Sequence, residues 1–169
     1  RSLNDIENSL NSGADKVAIN TAAAANPELL WKASRAFGSQ CIVLSVEAKW
    51  REGGWWEALT DNGRQVTGRN VLDWVKEAEA LGVGEILITS VDQEGTRKGF
   101  DLALSKAVRE KVKIPLIMGG GAGAAEDVAT VLSTKNADAV CCASLFHYNS
   151  CSISRLKDKL SNEGIEVRI

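Results

Sequence analysis

The sequence is poor in residues that break, cross-link or ligate: of 169 residues two are proline, one is histidine and one is methionine, and aromatic residues make up 5%. A lone histidine, His147, and four cysteines without a C-x-x-C spacing argue against a metal centre or a disulfide framework. Cys41, Cys141, Cys142 and Cys151 lie mostly inside apolar runs and read as reduced core thiols of a cytoplasmic protein. No uninterrupted apolar stretch approaches the roughly 20 residues of a membrane span, and no charged-then-apolar leader opens the chain, so no membrane is expected. An excess of one charge is missing as well. A net charge of -2 gives no long-range pull on nucleic acid or anionic membranes, so any anionic ligand must be captured by local groups. The chain begins at Arg1 rather than methionine and enters an apparent helix at once, which raises the expectation of further sequence upstream.

What is present is an apolar fraction of 44%, enough at this length for one domain core, arranged in a regular rhythm. Leu3, Ile6 and Leu10 mark a helix over residues 3 to 11, closed by Gly13, and the short run KVAIN follows. Asn26-Pro27 predicts the next helix, through about residue 36, with Asn26 as cap and Pro27 at the first helical position. Then come CIVLSV as strand, 70–81 as helix, EILITSV as strand, 101–111 as helix, IPLIMG as strand, 124–134 as helix, DAVCCAS as strand and 152–162 as helix. Five strands alternating with helices predict βαβ units, a parallel sheet and a single α/β domain over 1–169. The near-continuous apolar character of the strands predicts helices or strands on both faces.

Residues 50–67, WREGGWWEALTDNGRQVT, break the rhythm. Gly53-Gly54 and an Asn62-Gly63 pair of the two-residue hairpin type predict a β-hairpin inserted after CIVLSV. Trp50, Trp55 and Trp56 form a substrate lid or partner surface, or, more plainly, an aromatic cluster that holds the insertion down. A faint repeat relates residues 13–22 to 136–145: Ala-Asp-x-Val, three residues, then a hydroxyl, Thr21 or Ser144.

Ligands of parallel α/β folds gather at the carboxyl ends of the strands, where helix N-termini aim unpaired N–H groups inward. There the chain carries Asn20-Thr21, Glu47-Ala48-Lys49, SVDQEGT (90–96), GGGAG (119–123) and Ala143-Ser144. Glycines let backbone amides approach an anion closely, although GGGAG alone also reads as a tight strand-to-helix turn. With Ala143-Ser144 one βα unit later, it matches the recurrent phosphate site of (β/α)8 barrels. Glu47 and Glu94 face the same side, where a carboxylate can move protons; the plainer reading makes each a loop carboxylate that caps a helix or pairs with Lys49 or Lys98.

GADKVAINTAA with NPELL, FGSQCIVLSVEAK, the Trp-rich hairpin with VTG, GVGEILITSVDQEGTRKGFD, IPLIMGGGAG and ADAVCCASLFH closely resemble the cyclase subunit of imidazole glycerol phosphate synthase, a (β/α)8 enzyme of histidine biosynthesis. The related sugar-isomerase barrel shares the strand-end glycines but lacks INTAA and SLFH. The resemblance implies a partial barrel, with the five strands matching the family's fourth to eighth. It implies one phosphate site at Asn20, Thr21, Gly95 and Thr96 and another at Gly120, Gly121, Ala143 and Ser144. These would anchor a bis-phosphorylated ribulosyl-formimino aminoimidazole ribonucleotide, cleaved and cyclised with ammonia from a glutaminase partner on the opposite face. Lys16 and Glu85 match the charged ring that gates ammonia entry, Asp15 matches the partner interface, and no cofactor or metal is implied.

The chain departs from the family at four places. The acid/base aspartate of the family's first strand has no counterpart here. Glu47 and Glu94 stand where the family has aspartates, each with one more methylene, roughly 1 Å that costs on the order of a hundredfold in tightly placed proton transfer. Gly119 replaces a serine. Five parallel strands do not close a barrel, so a homo-oligomer, most simply a dimer, or a rearranged packing is expected. The candidate roles are thus an impaired cyclase-type lyase, a phosphate-binding module without turnover, or a self-assembling structural fragment.

Overall fold

The helices form where the sequence supplies both an apolar stripe and a local start signal. A computed structural model describes residues 1–168. Ser2 caps α1 (Leu3–Asn11) in a reciprocal capping box with Asp5; Asn70 caps α4 (Val71–Ala80), Asp101 caps α5 (Leu102–Arg109) and Ser152 caps α8 (Ile153–Asn162). In each case a side-chain oxygen takes amides that the first turn leaves without partners. The expected Asn26 cap does not form: α3 (Glu28–Phe37) begins after Pro27 with no side-chain capping bond, and Asn26 contributes only its carbonyl, which accepts from Leu29. Two short helices went unforeseen, α2 (Thr21–Ala25) and α7 (Ser144–His147), because four or five residues carry no readable period. α6 (Ala125–Ser133) starts where Asp127 accepts from the amides of Gly123 and Ala124.

The strands are β1 (Val17–Ile19), β2 (Ile42–Arg51), β3 (Trp55–Thr60), β4 (Gln65–Asn70), β5 (Glu85–Ser90), β6 (Leu116–Gly119) and β7 (Ala139–Cys141). They make one sheet in the order β4-β3-β2-β5-β6-β7, with β1 beside the first half of β2. β1, β2, β5, β6 and β7 run parallel, and only the β3 and β4 pairings are antiparallel. This mostly parallel α/β sheet is compatible with a TIM-barrel-like fold. Among the described residues β1 pairs only with β2, and β7 only with β6.

The sheet is covered on one face, not both. Ile42, Leu44, Val46, Ile86, Ile88, Leu116 and Met118 are buried in one continuous core with Leu30, Trp74, Leu104 and Val131 from the helices. Most residues of the opposite parity, among them Ser45, Glu47, Leu87, Thr89 and Ile117, are only half-buried, and Ala18, Ala139 and Cys141 are exposed. The strands look uniformly apolar because small and aliphatic residues occupy this second face too, although among the described residues no helix buries it.

The insertion differs from the expected hairpin. β2 does not stop at Val46 but runs on to Arg51, and its end pairs antiparallel with β3 to open a three-stranded meander. The β3–β4 loop spans four residues, 61–64, rather than the two of a tight Asn-Gly turn. Asp61, Asn62 and Gly63 all take positive φ, and Arg64 donates back to the Thr60 carbonyl. The meander is held by charge as well as ladder bonds. Glu57, 6% exposed, accepts from Arg51 Nε at 2.6 Å and from the Gly68 amide at 2.7 Å. Trp50 and Trp56 stack edge-on with centroids 4.5 Å apart.

Candidate functional site

β6 and β7 end beside each other because Gly119 lies opposite Cys141 in the parallel ladder. Their loops and the one after β5 enclose a pocket of about 140 Å³ lined by Glu94, Gly95, Gly120, Gly121, Ala143 and Ser144 among others. Six of the residues singled out from sequence thus meet in one place. The amides of Gly120, Gly121, Ala122, Ala143 and Ser144, all residues that line the pocket, have no acceptor within the chain among the described residues.

Two of the glycines are required by packing as much as by any ligand. Gly120 and Gly121 have φ of 89° and 102°. A Cβ on Gly120 would stand 2.8 Å from the Ser90 carbonyl oxygen and 3.2 Å from Glu94 Oε2, and one on Gly121 would stand 2.0 Å from the Gly99 carbonyl oxygen. The β5–α5 loop therefore lies directly on the glycine loop, and the Gly99 amide donates to the Gly121 carbonyl at 2.9 Å.

A second group forms at the ends of β1 and β2. Asn20 Nδ2 donates to Glu47 Oε2 at 2.9 Å, and the same oxygen accepts from the Gly63 amide at 2.9 Å. Thr21 Oγ1 accepts from the Asp61 amide at 3.2 Å, so the tip of the meander rests on both Glu47 and Thr21. Asn20 and Thr21 line a cleft of about 290 Å³ along β1. Gly95 lines the glycine pocket and not this cleft, and Thr96 turns its hydroxyl to the Gln93 carbonyl at 2.8 Å within its own loop. Glu47 does not pair with Lys49. Lys49 forms an ion pair with Asp92, which also accepts from the Trp50 amide at 2.8 Å. Burial is the largest single influence on Asp92 and pushes its pKa up, but the Lys49 and Trp50 hydrogen bonds and the charges of Lys49 and Arg51 outweigh it and hold the carboxyl low.

At the opposite end of the sheet Lys16 and Glu85 form an ion pair that bridges over β2, with Asp15 exposed beside it. Sequence reasoning missed Asp92 and Arg97. Asp92 lies in the strand-end stretch 90–96 but was not singled out there, because the pairing of Ala48 with Ser90 that carries Lys49 toward it exists only in the folded sheet. Arg97 was readable only as one of two cations between Gly95 and Gly99, and it lines the glycine pocket. Cys141 and Cys142 both line the same pocket; Cys141 is exposed, whereas Cys142 is half-buried against the core, where burial, aided by Cys141 and Asp127, raises its thiol to about 11. Among the described residues no three His, Cys, Asp or Glu side chains converge to hold a metal, and no helix is long and apolar enough to cross a membrane.

Two parallel sets of comparisons bear on this geometry. Residues 1–152 match the family model described as "Histidine biosynthesis protein". The chain is 46% identical over 169 residues to the imidazole glycerol phosphate synthase subunit HisF of Streptococcus gordonii and equally to that of Streptococcus sanguinis, in each case all of this chain and 67% of the relative. It is 48% identical over 168 residues to the same subunit of Halalkalibacterium halodurans, covering 99% of this chain and 67% of that one. With carboxylates and free amides gathered at the strand ends that these matches span, the chain belongs to the histidine biosynthesis protein family, and it is similar along its whole length to the HisF cyclase subunit of imidazole glycerol phosphate synthase.

Proposed function

We propose that this chain serves the cyclase reaction of imidazole glycerol phosphate synthase. In that reaction ammonia from a glutaminase partner is incorporated while a bis-phosphorylated ribulosyl-formimino aminoimidazole ribonucleotide is cleaved and cyclised. The observation that carries the reading is the set of unpartnered amides at Gly120, Gly121, Ala143 and Ser144 in a pocket of phosphate size. One phosphate seats there. The other is assigned to Asn20 and Thr21 at the end of β1; Gly95, which lines the glycine pocket, and Thr96, whose hydroxyl bonds within its own loop, are not assigned to it. Glu47 and Glu94 act as the acid–base groups, since each can exchange a proton within hydrogen-bond reach of a ligand held between the two anchors. Lys16 and Glu85, paired at the far end of the sheet, gate ammonia entry, and Asp15 faces the glutaminase.

In this reading the five parallel strands are a partial (β/α)8 barrel, and turnover by the chain alone is low, because Glu47 and Glu94 stand where the resemblance puts aspartates one methylene shorter. The open sheet face and the sides of β1 and β7 that are unpaired among the described residues favour self-association. A second reading, phosphate binding without turnover, is favoured by the meander tip, which already occupies Thr21 Oγ1 and Glu47 Oε2. One experiment separates them: the bis-phosphorylated substrate with ammonium salt, followed by absorbance, beside calorimetric titration with inorganic phosphate. Turnover lost in Glu47→Gln supports the cyclase reading. Phosphate binding weakened by Ser144→Ala with no turnover supports the second, and silence in both assays refutes each.

A further inference from the structure

The glycine pocket has a charge problem. Backbone amides supply only partial positive charge, and Glu94 brings a full negative charge to the same cavity, with Oε2 at 3.2 Å from a Cβ position on Gly120. A phosphate there would meet repulsion unless a cation faced it as well. Arg97 is the one cation that lines the pocket among the described residues.

Its placement is built into the backbone. Arg97 takes φ of 56°, a left-handed conformation that a non-glycine residue adopts at a cost and that tertiary packing must hold. That packing is visible: a Cβ on Gly123 would lie 2.4 Å from the Arg97 carbonyl oxygen, so the absence of a side chain at 123 lets the Arg97 backbone settle onto the glycine loop. The guanidinium then lies over the Tyr148 ring, 4.8 Å from its centroid, and Tyr148 in turn stacks edge-on with His147 at 5.0 Å. Arg97 comes from the loop after β5 and Tyr148 from the residue that ends α7, so the stack links the loops on either side of the pocket. Tyr148 is 61% exposed, and its ring has a platform role rather than a core role.

We propose that Arg97 supplies the full positive charge that holds a phosphate group in the glycine pocket, and that Tyr148 keeps the guanidinium at the rim until the anion arrives. Arg97 offsets Glu94 and adds charge-assisted hydrogen bonds to those from the amides. The inference rests on the phosphate reading above.

The test is a titration of the full chain with inorganic phosphate at low ionic strength, followed by the amide resonances of Gly120, Gly121 and Ser144. Saturable shifts are expected in the native chain. Arg97→Ala is expected to weaken binding about tenfold or more with the same amides still responding, Arg97→Lys to recover part of the loss, and Tyr148→Leu to weaken it a few-fold. The difference between native and Arg97→Ala should shrink as salt is added, since a screened charge is being removed. Arg97→Gln keeps the length and polarity of the side chain, so equal loss in Ala and Gln variants of unchanged thermal midpoint assigns the effect to charge. If native protein binds and Arg97→Ala binds within twofold of it, the role of Arg97 is refuted while the pocket stands. If phosphate moves none of these amides in the native chain, the pocket reading itself falls, and this inference with it.

Discussion

Asn20 at the end of β1 and Glu47 on β2 are tied by a 2.9 Å hydrogen bond, and both land under the tip of the meander, whose Gly63 amide takes the same carboxylate oxygen at 2.9 Å. With both donors on Oε2, Oε1 is left for a ligand. The longer arm of a glutamate, which by itself would swing, is thereby pinned at one oxygen.

That arrangement predicts a split between two substitutions. Glu47→Gln keeps an acceptor for Asn20 and Gly63 and should unfold near the native midpoint, while any turnover the chain supports falls about 10²–10⁴-fold with the loss of a proton carrier. Glu47→Leu removes the acceptor and should cost about 1–3 kcal/mol, because two donors lose their partner. Thermal unfolding and hydrogen exchange at the Gly63 amide check both; unchanged exchange in Glu47→Leu would show that the tip is held by other means.

Acid should loosen the meander early. Burial pushes the Glu57 carboxyl up, but bonds from the Gly68 amide and from Arg51 together overcome it, and Asp92 is held low in the same way by Lys49 and the Trp50 amide. Carboxyls whose folded pKa lies below the unfolded one stabilise the fold above the ordinary carboxylate value of about 4 and lose that contribution as pH falls through the folded value. Stability of the native chain is therefore expected to fall below about pH 4, and Glu57→Gln with Asp92→Asn should flatten that fall. Equal acid slopes for native and double variant would contradict this.

Gly121→Ala should destabilise by about 1–3 kcal/mol through backbone strain alone, and its Cβ must drive the Gly99 carbonyl off the glycine loop. Phosphate titration of this variant is expected to show weakened response at Ser144 as well, because the two loops share one pocket. Native-like unfolding would mean the loops part at no cost.

Leu44, fully buried near the start of β2, carries the core between β1 and β5. Leu44→Ala should cost about 2–5 kcal/mol, read from denaturant midpoints. Leu87→Ala, on the half-buried face, should cost far less, unless association covers that face.

Association itself is the last expectation. With one sheet face free of helices and the outer sides of β1 and β7 unpaired among the described residues, the chain is expected to exceed the mass of one copy in light scattering at micromolar concentration. A monomer that binds no hydrophobic dye would refute it.

The amino-acid sequence by itself determined whatever depends on neighbours along the chain. Ser2, Asn70, Asp101 and Ser152 cap their helices through oxygens that reach only two or three residues ahead, and the apolar runs of β2, β5 and β6 announce strands without help from elsewhere. The glycine turn and its serine were likewise visible as strand-end residues. Tertiary structure alone decided what depends on residues far apart: that β2 runs on into the meander, that its tip settles on Thr21 and Glu47, that Lys49 chooses Asp92, and that Arg97 lies across to Tyr148. One face of the sheet stays open for the same reason. Burial is a property of what packs against a surface, and an alternation of side chains along one strand says which residues share a face but not whether anything comes to cover it.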